Sequence, residues 1–253
     1  MQSISKLLII GIILFNMSNV SIYAQDEDLK RAETAYTGEQ YLTAIEIYES
    51  LLKNYGASAE VYYNLGNSYY KTGKIAQAIL NYERALLIKP GDGDIRFNLE
   101  LARLQTDKID PIEEFFLKKW FRTVQNLLGV DAWATIGLVG FILFICCLIL
   151  FFFSKWMSLK KAGFYFGILL FLLVIAANIF AYNQKYELEN RKGAIVITPT
   201  VTAKSTPDNS GTDLFVLHEG TKVFIRISVG EWNEIALEDG NVGWVRKKDI
   251  EII

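Results

Sequence analysis

The 253-residue sequence contains few of the side chains that bind metals or act as nucleophiles. His218 is its one histidine, and its two cysteines, Cys146 and Cys147, are adjacent within an apolar run. A structural zinc site needs about four Cys or His ligands at spaced positions, and adjacent cysteines are poorly placed for a structural disulfide. We therefore expect neither a metal site nor a cofactor, and we interpret both cysteines as small hydrophobic residues.

An excess of charge of one sign is also missing, and proline is scarce. The 26 Lys and Arg residues are balanced by 28 Asp and Glu residues, which leaves a formal net charge of −2. A nucleic-acid-binding protein of the strongly basic type is excluded because there is no cationic excess. With 4 Pro and 18 Gly, the chain is neither collagen-like nor a disordered repeat.

The sequence does have two long runs without charge, residues 132–154 and 162–184, each of 23 residues. At about 1.5 Å per residue, either run as a helix is about 34 Å long, enough to cross a hydrocarbon core of about 30 Å. A simple soluble globular protein is therefore excluded. We predict transmembrane helices over 130–153 and 162–183, joined by a loop at 154–161.

Two features predict how this hairpin is oriented. The loop 154–161 carries three lysines and no acidic residue, and positively charged loops stay in the cytoplasm. Residues 1–24 have the pattern of a signal peptide, with Lys6, an apolar core over 7–15 and Ala24 at the expected cleavage point. An uncleaved anchor is the alternative for this segment, and it would leave the following domain on the same, exported side.

Residues 26–106 show a period of 34 residues. Ala44 and Ala78 are 34 residues apart, and so are Tyr48 and Tyr82. This period predicts pairs of antiparallel helices that stack on one another. The best copy, residues 59–92, resembles the tetratricopeptide repeat at each position of its pattern: Tyr62, Leu65, Gly66, Tyr69, Ala78, Tyr82, Ala85 and Pro90.

The resemblance implies an all-α tetratricopeptide repeat array over 25–109. A weaker unit precedes the best copy at 26–58, and a half-unit of one helix follows from Gly93, where we expect it to cap the array. Gly66 and Ala78 are small, so we expect the two helices of the best copy to approach closely.

Residues 110–129 predict an amphipathic helix directly before the first span. Asp110 and Pro111 are typical of a helix start, as the N-cap and the first helical residue. One face of the helix is aromatic and aliphatic, and the other carries Lys118, Lys119 and Arg122, which the positive-inside rule would place on the opposite side of the membrane. We favour a helix in the membrane interface, and the alternative is a helix whose apolar stripe packs against the repeats.

After a polar linker at 184–192, the pattern changes to period two with β-branched residues. It predicts five short strands, at 195–197, 214–217, 222–227, 231–237 and 242–245, and a small closed barrel. The segment 193–253 resembles the bacterial SH3 (SH3b) domain, and the residues that carry the resemblance are Leu217, Gly220, Val223, Gly230, Trp232, Ile235, Asp239, Gly240, Gly243, Trp244, Val245 and Ile250.

The order of these parts is more informative than any one of them. A signal peptide, a short tetratricopeptide array, a two-helix transmembrane hairpin and an SH3-like all-β barrel together resemble BatE-type proteins of the bacterial aerotolerance operon. The resemblance implies a multidomain protein of the bacterial inner membrane, with the repeat and SH3b domains in the periplasm. It also implies von Willebrand-domain Bat proteins as partners and a role in tolerance of oxygen or envelope stress.

Two non-enzymatic functions are open at this point. The first is a membrane-anchored scaffold whose repeat groove binds another protein, and its candidate residues are Tyr63, Asn67, Tyr70, Lys71, Phe97 and Asn98. The alternative is an envelope module that binds peptidoglycan through Trp232 and Trp244 of the SH3b domain. A purely structural role also stays open, in helix packing for the asparagines and in the barrel core or rim for the tryptophans.

We do not expect an enzyme. Nucleophilic catalysis needs a Cys–His pair or a Ser–His–acid set, but the cysteines lie in a predicted span and His218 lies in a predicted turn. A glycosidase with two carboxylates would need a catalytic domain, and no segment beside the repeats is long enough. The expected partners are therefore proteins, the lipid bilayer and, in the alternative function, peptidoglycan, but not nucleic acid.

Overall fold

The computed structural model describes residues 24–253. Of the predicted signal peptide, 1–24, only the last residue belongs to this described part. The helices and strands follow in the order α1 (24–37), α2 (Tyr41–Tyr55), α3 (Ala59–Lys71), α4 (Ile75–Ile88), α5 (Gly93–Arg103), α6 (Phe116–Gln125), α7 (Val130–Phe153), α8 (Met157–Glu189), β1 (Gly193–Val196), β2 (Thr200–Lys204), β3 (Asp213–His218), β4 (Lys222–Val229), β5 (Trp232–Ala236), β6 (Val242–Arg246) and β7 (Ile250–Ile252).

Helices α1–α5 form the predicted array of antiparallel helices. The Ser58 side chain caps α3, and the Asp92 side chain caps α5 by accepting hydrogen bonds from two backbone N–H groups. A Cβ atom at Gly66 would lie 2.6 Å from the Tyr82 ring, so glycine allows α3 and α4 the close approach that the repeat pattern predicts. The buried core includes Tyr48, Leu51, Leu65, Ile79, Leu80, Tyr82, Ile95 and Leu99.

Helices α7 and α8 pack against each other as a long hairpin. Four glycines are buried along their contact, and most of the large apolar side chains around them are exposed. A Cβ atom at Gly163 would lie 2.8 Å from the backbone oxygen of Cys147, which shows how closely the two backbones approach. Both helices are long and apolar enough to cross a membrane. Helix α8 continues to Glu189, so the helix of the second span extends through most of the polar linker at 184–192, a continuation that the sequence leaves open.

Helix α6 begins later than predicted. Asp110 does not cap it; the helix starts at Phe116, and residues 110–115 are not helical. The backbone N–H of Ile112 instead donates to the Glu238 carbonyl oxygen at 3.0 Å, so a tertiary contact takes the place of the first helical turn.

Part of the apolar face of α6 is exposed, and part of it contacts the hairpin. Phe116 and Trp120 are exposed, and Phe121 contacts Phe180 of α8 with 5.1 Å between ring centroids.

The strands form one antiparallel sheet in the order β3-β2-β6-β5-β4-β1-β7. The prediction of a closed barrel is wrong, because β3 and β7 lie at opposite edges and do not pair. Strands β2 and β7 were not among the five that the pattern predicts. Beside the β7 edge, Ile195 of β1 and Ile253 are buried in the repeat core. Arg84 of α4 donates to the Ile252 carbonyl oxygen at 2.6 Å, so the helices contact the sheet at this edge.

Candidate functional site

Two asparagines join α3 to α5 in a polar network on the repeat array. The Asn98 Nδ2 group donates to Asn67 Oδ1 at 2.8 Å and to the Tyr63 hydroxyl at 3.0 Å. The Tyr82 hydroxyl donates to the same Asn67 oxygen at 2.8 Å. Burial, followed by the nearby tyrosines, raises the pKa of Tyr82, so this donor stays protonated.

The network leaves defined atoms for a ligand. Within residues 24–253, the Nδ2 group of Asn67 and the Oδ1 atom of Asn98 have no hydrogen-bond partner, and neither atom is buried. One free donor and one free acceptor are the two kinds of group that a peptide backbone can pair with. The structural role and the binding role of the asparagines are therefore compatible, because different atoms serve each.

The other predicted groove residues lie around this network. The Tyr70 hydroxyl accepts a hydrogen bond from Gln105 Nε2 at 3.1 Å, and the Phe97 side chain is 67% exposed. Lys71 is exposed at the last residue of α3, and the structure shows no hydrogen bond from it to the network in the described part of the chain.

The sequence reasoning missed two residues next to Phe97. Leu101 and Leu104 follow it at i+4 and i+7 on α5 and its C-terminal end, and both are exposed, Leu104 by 81%. This spacing places the three side chains on one helical face, so a search for an apolar stripe would have found them. The groove therefore combines a polar centre with an apolar wall.

The two predicted tryptophans lie on the face of the sheet that is opposite its core. Trp232 and Trp244 are half-buried, whereas the alternating residues of β5 and β6 are buried in the core. The Arg246 guanidinium carbon is 5.3 Å from the Trp232 ring centroid, and Lys204 pairs in register with Trp244. Neither indole is therefore in the core of the sheet, and each is partly exposed.

A buried carboxylate joins the repeat array to the sheet, and no sequence pattern predicts it. Glu83 of α4 forms ion pairs with Arg103 of α5 and, at 2.7 Å, with Lys222 of β4. Burial alone would raise the pKa of Glu83, but the charges and hydrogen bonds of Lys222 and Arg103 outweigh it and hold that pKa below 4.5. Because Lys222 is 139 residues further along the chain, only tertiary structure brings this pair together.

A second set of contacts fixes the turn between β3 and β4 to the end of the array. The Asp107 carboxylate accepts hydrogen bonds from the His218 backbone N–H at 2.9 Å and from the Thr221 hydroxyl at 3.1 Å. The turn residue Gly220 has a φ of +85°, and a Cβ atom there would lie 2.5 Å from Thr106. The sheet thus contacts α4 and the segment after α5, and leaves the asparagine network uncovered.

The Asp107 contact is expected to contribute stability that depends on pH. Burial opposes ionisation, but the hydrogen bonds from His218 and Thr221 outweigh it and hold the pKa of Asp107 below its ordinary value of 3.8. A carboxylate with a depressed folded pKa stabilises the fold above pH 3.8, and this contribution is lost as the pH falls through the folded pKa. We expect the melting temperature of Asp107→Asn to fall less than that of the wild type between pH 5 and pH 3.

The exposed Asp110 provides the control for this experiment. Asp110→Asn, measured in the same detergent buffers, should follow the wild-type melting curve at each pH. An identical acid response of wild type and Asp107→Asn would contradict the assigned role of this carboxylate.

Comparison with known proteins identifies one part of the chain. The sequence model of the tetratricopeptide repeat family matches residues 59–92, which contain α3, α4 and the connection to α5. No curated protein matches the chain. The match confirms the repeat predicted over these residues, and this repeat is a fold of protein interaction rather than of catalysis.

Proposed function

We propose that this protein is a non-enzymatic, membrane-anchored scaffold whose repeat groove binds a partner protein. The observation that carries the proposal is the asparagine network, which presents the free Asn67 donor and Asn98 acceptor beside the exposed Phe97. A peptide segment of the partner satisfies both polar atoms with its backbone and places an apolar side chain against Phe97, Leu101 and Leu104. The repeat match at 59–92 supports protein binding in general.

The contacts between the repeat array and the sheet support a common side of the membrane for both. Glu83 precedes the hairpin in the chain and Lys222 follows it, and an ion pair between them requires that both ends of the hairpin open to one side. The segment 154–161, which joins α7 to α8 and includes the first turn of α8, carries three lysines and then lies on the other side, in the cytoplasm. We therefore propose that the repeat array and the sheet both lie in the periplasm, at a bacterial inner membrane.

Helix α6 completes the anchor in this proposal. Its exposed Phe116 and Trp120 lie beside the hairpin, because Phe121 packs on Phe180 and the Trp133 indole donates to the Gln125 carbonyl oxygen at 2.8 Å. An amphipathic helix at this position lies in the membrane interface with its apolar side chains toward the acyl chains.

The likeness to BatE-type proteins makes the scaffold proposal more specific. It favours von Willebrand-domain Bat proteins as the groove partners and an aerotolerance or envelope-stress complex as the assembly. Crosslinking in native membranes followed by purification of the full chain tests this identity, because deletion of 25–106 should abolish recovery of the partners.

A single substitution tests the groove itself. In Asn67→Asp, the side chain keeps an oxygen for Tyr82 and Asn98 but loses the amide donor that faces the ligand. We expect partner recovery to fall about tenfold, which corresponds to about 1.4 kcal/mol. Asn54→Asp makes the same change on the exposed surface of α2 and should leave recovery unchanged. Equal recovery with both variants would show that the partner binds elsewhere.

A second candidate function is favoured by the two half-buried indoles on the outer face of the sheet. Trp232, with Arg246 over its ring, and Trp244 form a surface that suits the stem peptides of peptidoglycan. Sedimentation of the full chain with purified sacculi tests this, and Trp232→Ala with Trp244→Ala should abolish the binding. If the wild type stays in the supernatant, the sheet has no wall-binding function.

The orientation is tested independently. A tag between α7 and α8, within the segment 154–161, should be protected from external labelling in spheroplasts, whereas a tag after Ile253 should be accessible. The reverse pattern would contradict the proposed topology.

A further inference from the structure

One polar side chain lies within the apolar part of α8. Asn178 is the only side-chain amide in residues 162–182, and no charged residue accompanies it. It is exposed on the surface of the hairpin. At about 1.5 Å per residue, it lies about 6 Å from Tyr182 along the helix axis, toward the middle of the span. In the membrane proposed above, acyl chains rather than water therefore surround this amide.

The Asn178 amide is incompletely hydrogen-bonded in the described part of the chain. Its Nδ2 group donates to the Val174 carbonyl oxygen at 2.8 Å, one turn back in the same helix. A carboxamide has two N–H donors and an acceptor oxygen, so within residues 24–253 one Nδ2 hydrogen and Oδ1 have no partner. Because acyl chains offer no hydrogen bonds, these groups favour a polar partner inside the membrane.

Asn178 belongs to a row of exposed side chains along α8, with alternating steps of four and three residues. We call this row the α8 seam, and its members are Phe164, Ile168, Phe171, Ile175, Asn178 and Tyr182. Phe164 and Phe171 also contact aromatic rings of α7, but about half of each residue stays exposed. An average step of about 3.5 residues is typical of side chains that meet across a left-handed pair of helices.

The α8 seam lies away from the contacts that α8 makes with α6 and the turn after it. Phe180 packs on aromatic rings of α6 and α7, and Gln184 donates to two carbonyl oxygens at the end of α6 and in the turn. At about 100° per residue, Ile175 lies on the opposite side of α8 from Gln184. The seam is therefore open to another helix in the plane of the membrane.

A second copy of this chain fits the α8 seam. All copies of a membrane protein insert with the same orientation, so Asn178 lies at the same depth in each copy. The carboxamide is self-complementary, since the free Nδ2 hydrogen of one copy pairs with the free Oδ1 atom of the other. Lys185 and Glu189 continue the spacing outside the membrane and form an ion pair within the chain, so no net charge opposes the approach.

We propose that the protein forms a parallel homodimer in the membrane through the α8 seam, with reciprocal hydrogen bonds between Asn178 of one copy and Asn178 of the other. The dimer places two repeat arrays on the same side of the membrane. It therefore presents two grooves and gains avidity for a partner that carries two binding segments. The inference rests on the proposed membrane anchoring.

Cysteine crosslinking of the full chain in native membranes tests the seam. In a background with Cys146→Ala and Cys147→Ala, oxidation of Ile175→Cys by copper phenanthroline should give a disulfide-linked dimer. Leu173→Cys is the control, because Leu173 is 45% exposed and Ile175 42%, but the two lie on opposite sides of α8. Equal crosslinking of both variants, or a crosslink of Ile175→Cys to a different membrane protein, would overturn the proposal.

Variants of Asn178 test the hydrogen bonds. Asn178→Leu keeps the size of the side chain but removes its donors and acceptor. We expect its dimer dissociation constant, measured by sedimentation equilibrium in detergent, to rise about tenfold. Asn178→Gln keeps a carboxamide and should dimerise more strongly than Asn178→Leu. Asn183→Leu makes the same change outside the seam and should match the wild type, and an equal effect of Asn178→Leu and Asn183→Leu would refute the assigned contact.

Membrane integration of the same samples separates the two proposals. Wild type and Asn178→Leu should both resist carbonate extraction, because the spans stay apolar. Extraction of the wild type would refute the anchoring proposal. A wild type that is integrated but monomeric would refute the dimer alone.

Discussion

Lys222→Met is expected to destabilise the protein by about 3 kcal/mol and to loosen the sheet from the repeat array. The substitution removes one of the two cations that neutralise Glu83, whose carboxylate is buried between α4, α5 and β4. Desolvation of that carboxylate is then no longer compensated, and this cost is the physical reason for the large effect. Thermal unfolding in detergent and limited proteolysis between the helices and the sheet both report the change.

A second ion pair in the same protein provides the control. Lys204 and Asp213 are also 2.7 Å apart, but Asp213 is largely exposed. Because exposed ion pairs contribute about 0–1 kcal/mol, Lys204→Met should have a small effect. The double variant Glu83→Leu with Lys222→Met should be more stable than Lys222→Met alone, since it no longer buries an underpaired charge. A similar loss for Lys204→Met and Lys222→Met would contradict the assigned role of the buried carboxylate.

Gly91→Ala should separate the repeat array from the α6–α7 turn. A Cβ atom at Gly91 would overlap the carbonyl oxygen of Leu127 and lie 3.0 Å from its carbonyl carbon. Both are backbone atoms, so no side-chain rotation can relieve the overlap. We expect a destabilisation of about 1–3 kcal/mol, the usual range for overpacking, with faster proteolysis in the segment 104–115.

Gly93→Ala is the matched control, two residues further along the chain. A Cβ atom there meets nothing within 4 Å, so the variant should be neutral or slightly stabilising. Gly129→Ala tests the same contact between the repeat array and the α6–α7 turn from the side of the turn. Its Cβ atom would lie 2.8 Å from the Ile88 carbonyl oxygen. If Gly91→Ala and Gly93→Ala have the same unfolding temperature, the close contact between the repeat array and the α6–α7 turn does not contribute to stability.

The parts of the fold that follow local periodicity could be predicted from the sequence. The 34-residue spacing of Tyr48 and Tyr82 predicts stacked helix pairs, and both tyrosines are buried in the array. The uncharged runs predict two long apolar helices, which are α7 and α8. Helical spacing also placed Asn67 and Asn98 among the groove candidates, and their side chains are in contact at 2.8 Å.

The predictions that were wrong concern segments whose structure depends on distant residues. Asp110 is a residue type that often caps helices, but no helix begins directly after it. The backbone N–H of Ile112 instead donates a hydrogen bond to the Glu238 carbonyl oxygen. The strand pattern predicts a closed barrel because alternation shows only which face of a strand is buried. It does not show whether the edge of β7 meets another strand or a helix.

The sequence by itself determined the three kinds of structure in this chain, because hydrophobic period, helix length and turn residues are local properties. The tertiary structure alone decided how the parts meet: Ile195 and Ile253 enter the repeat core, and Lys222 reaches Glu83. A buried charge is tolerated only beside an oppositely charged partner. Whether such a partner is near depends on which surfaces face each other after folding. The same reason applies to the cavity of about 250 Å³ lined by Gln184, whose walls come from the three helices α4, α5 and α8 and the turns beside them.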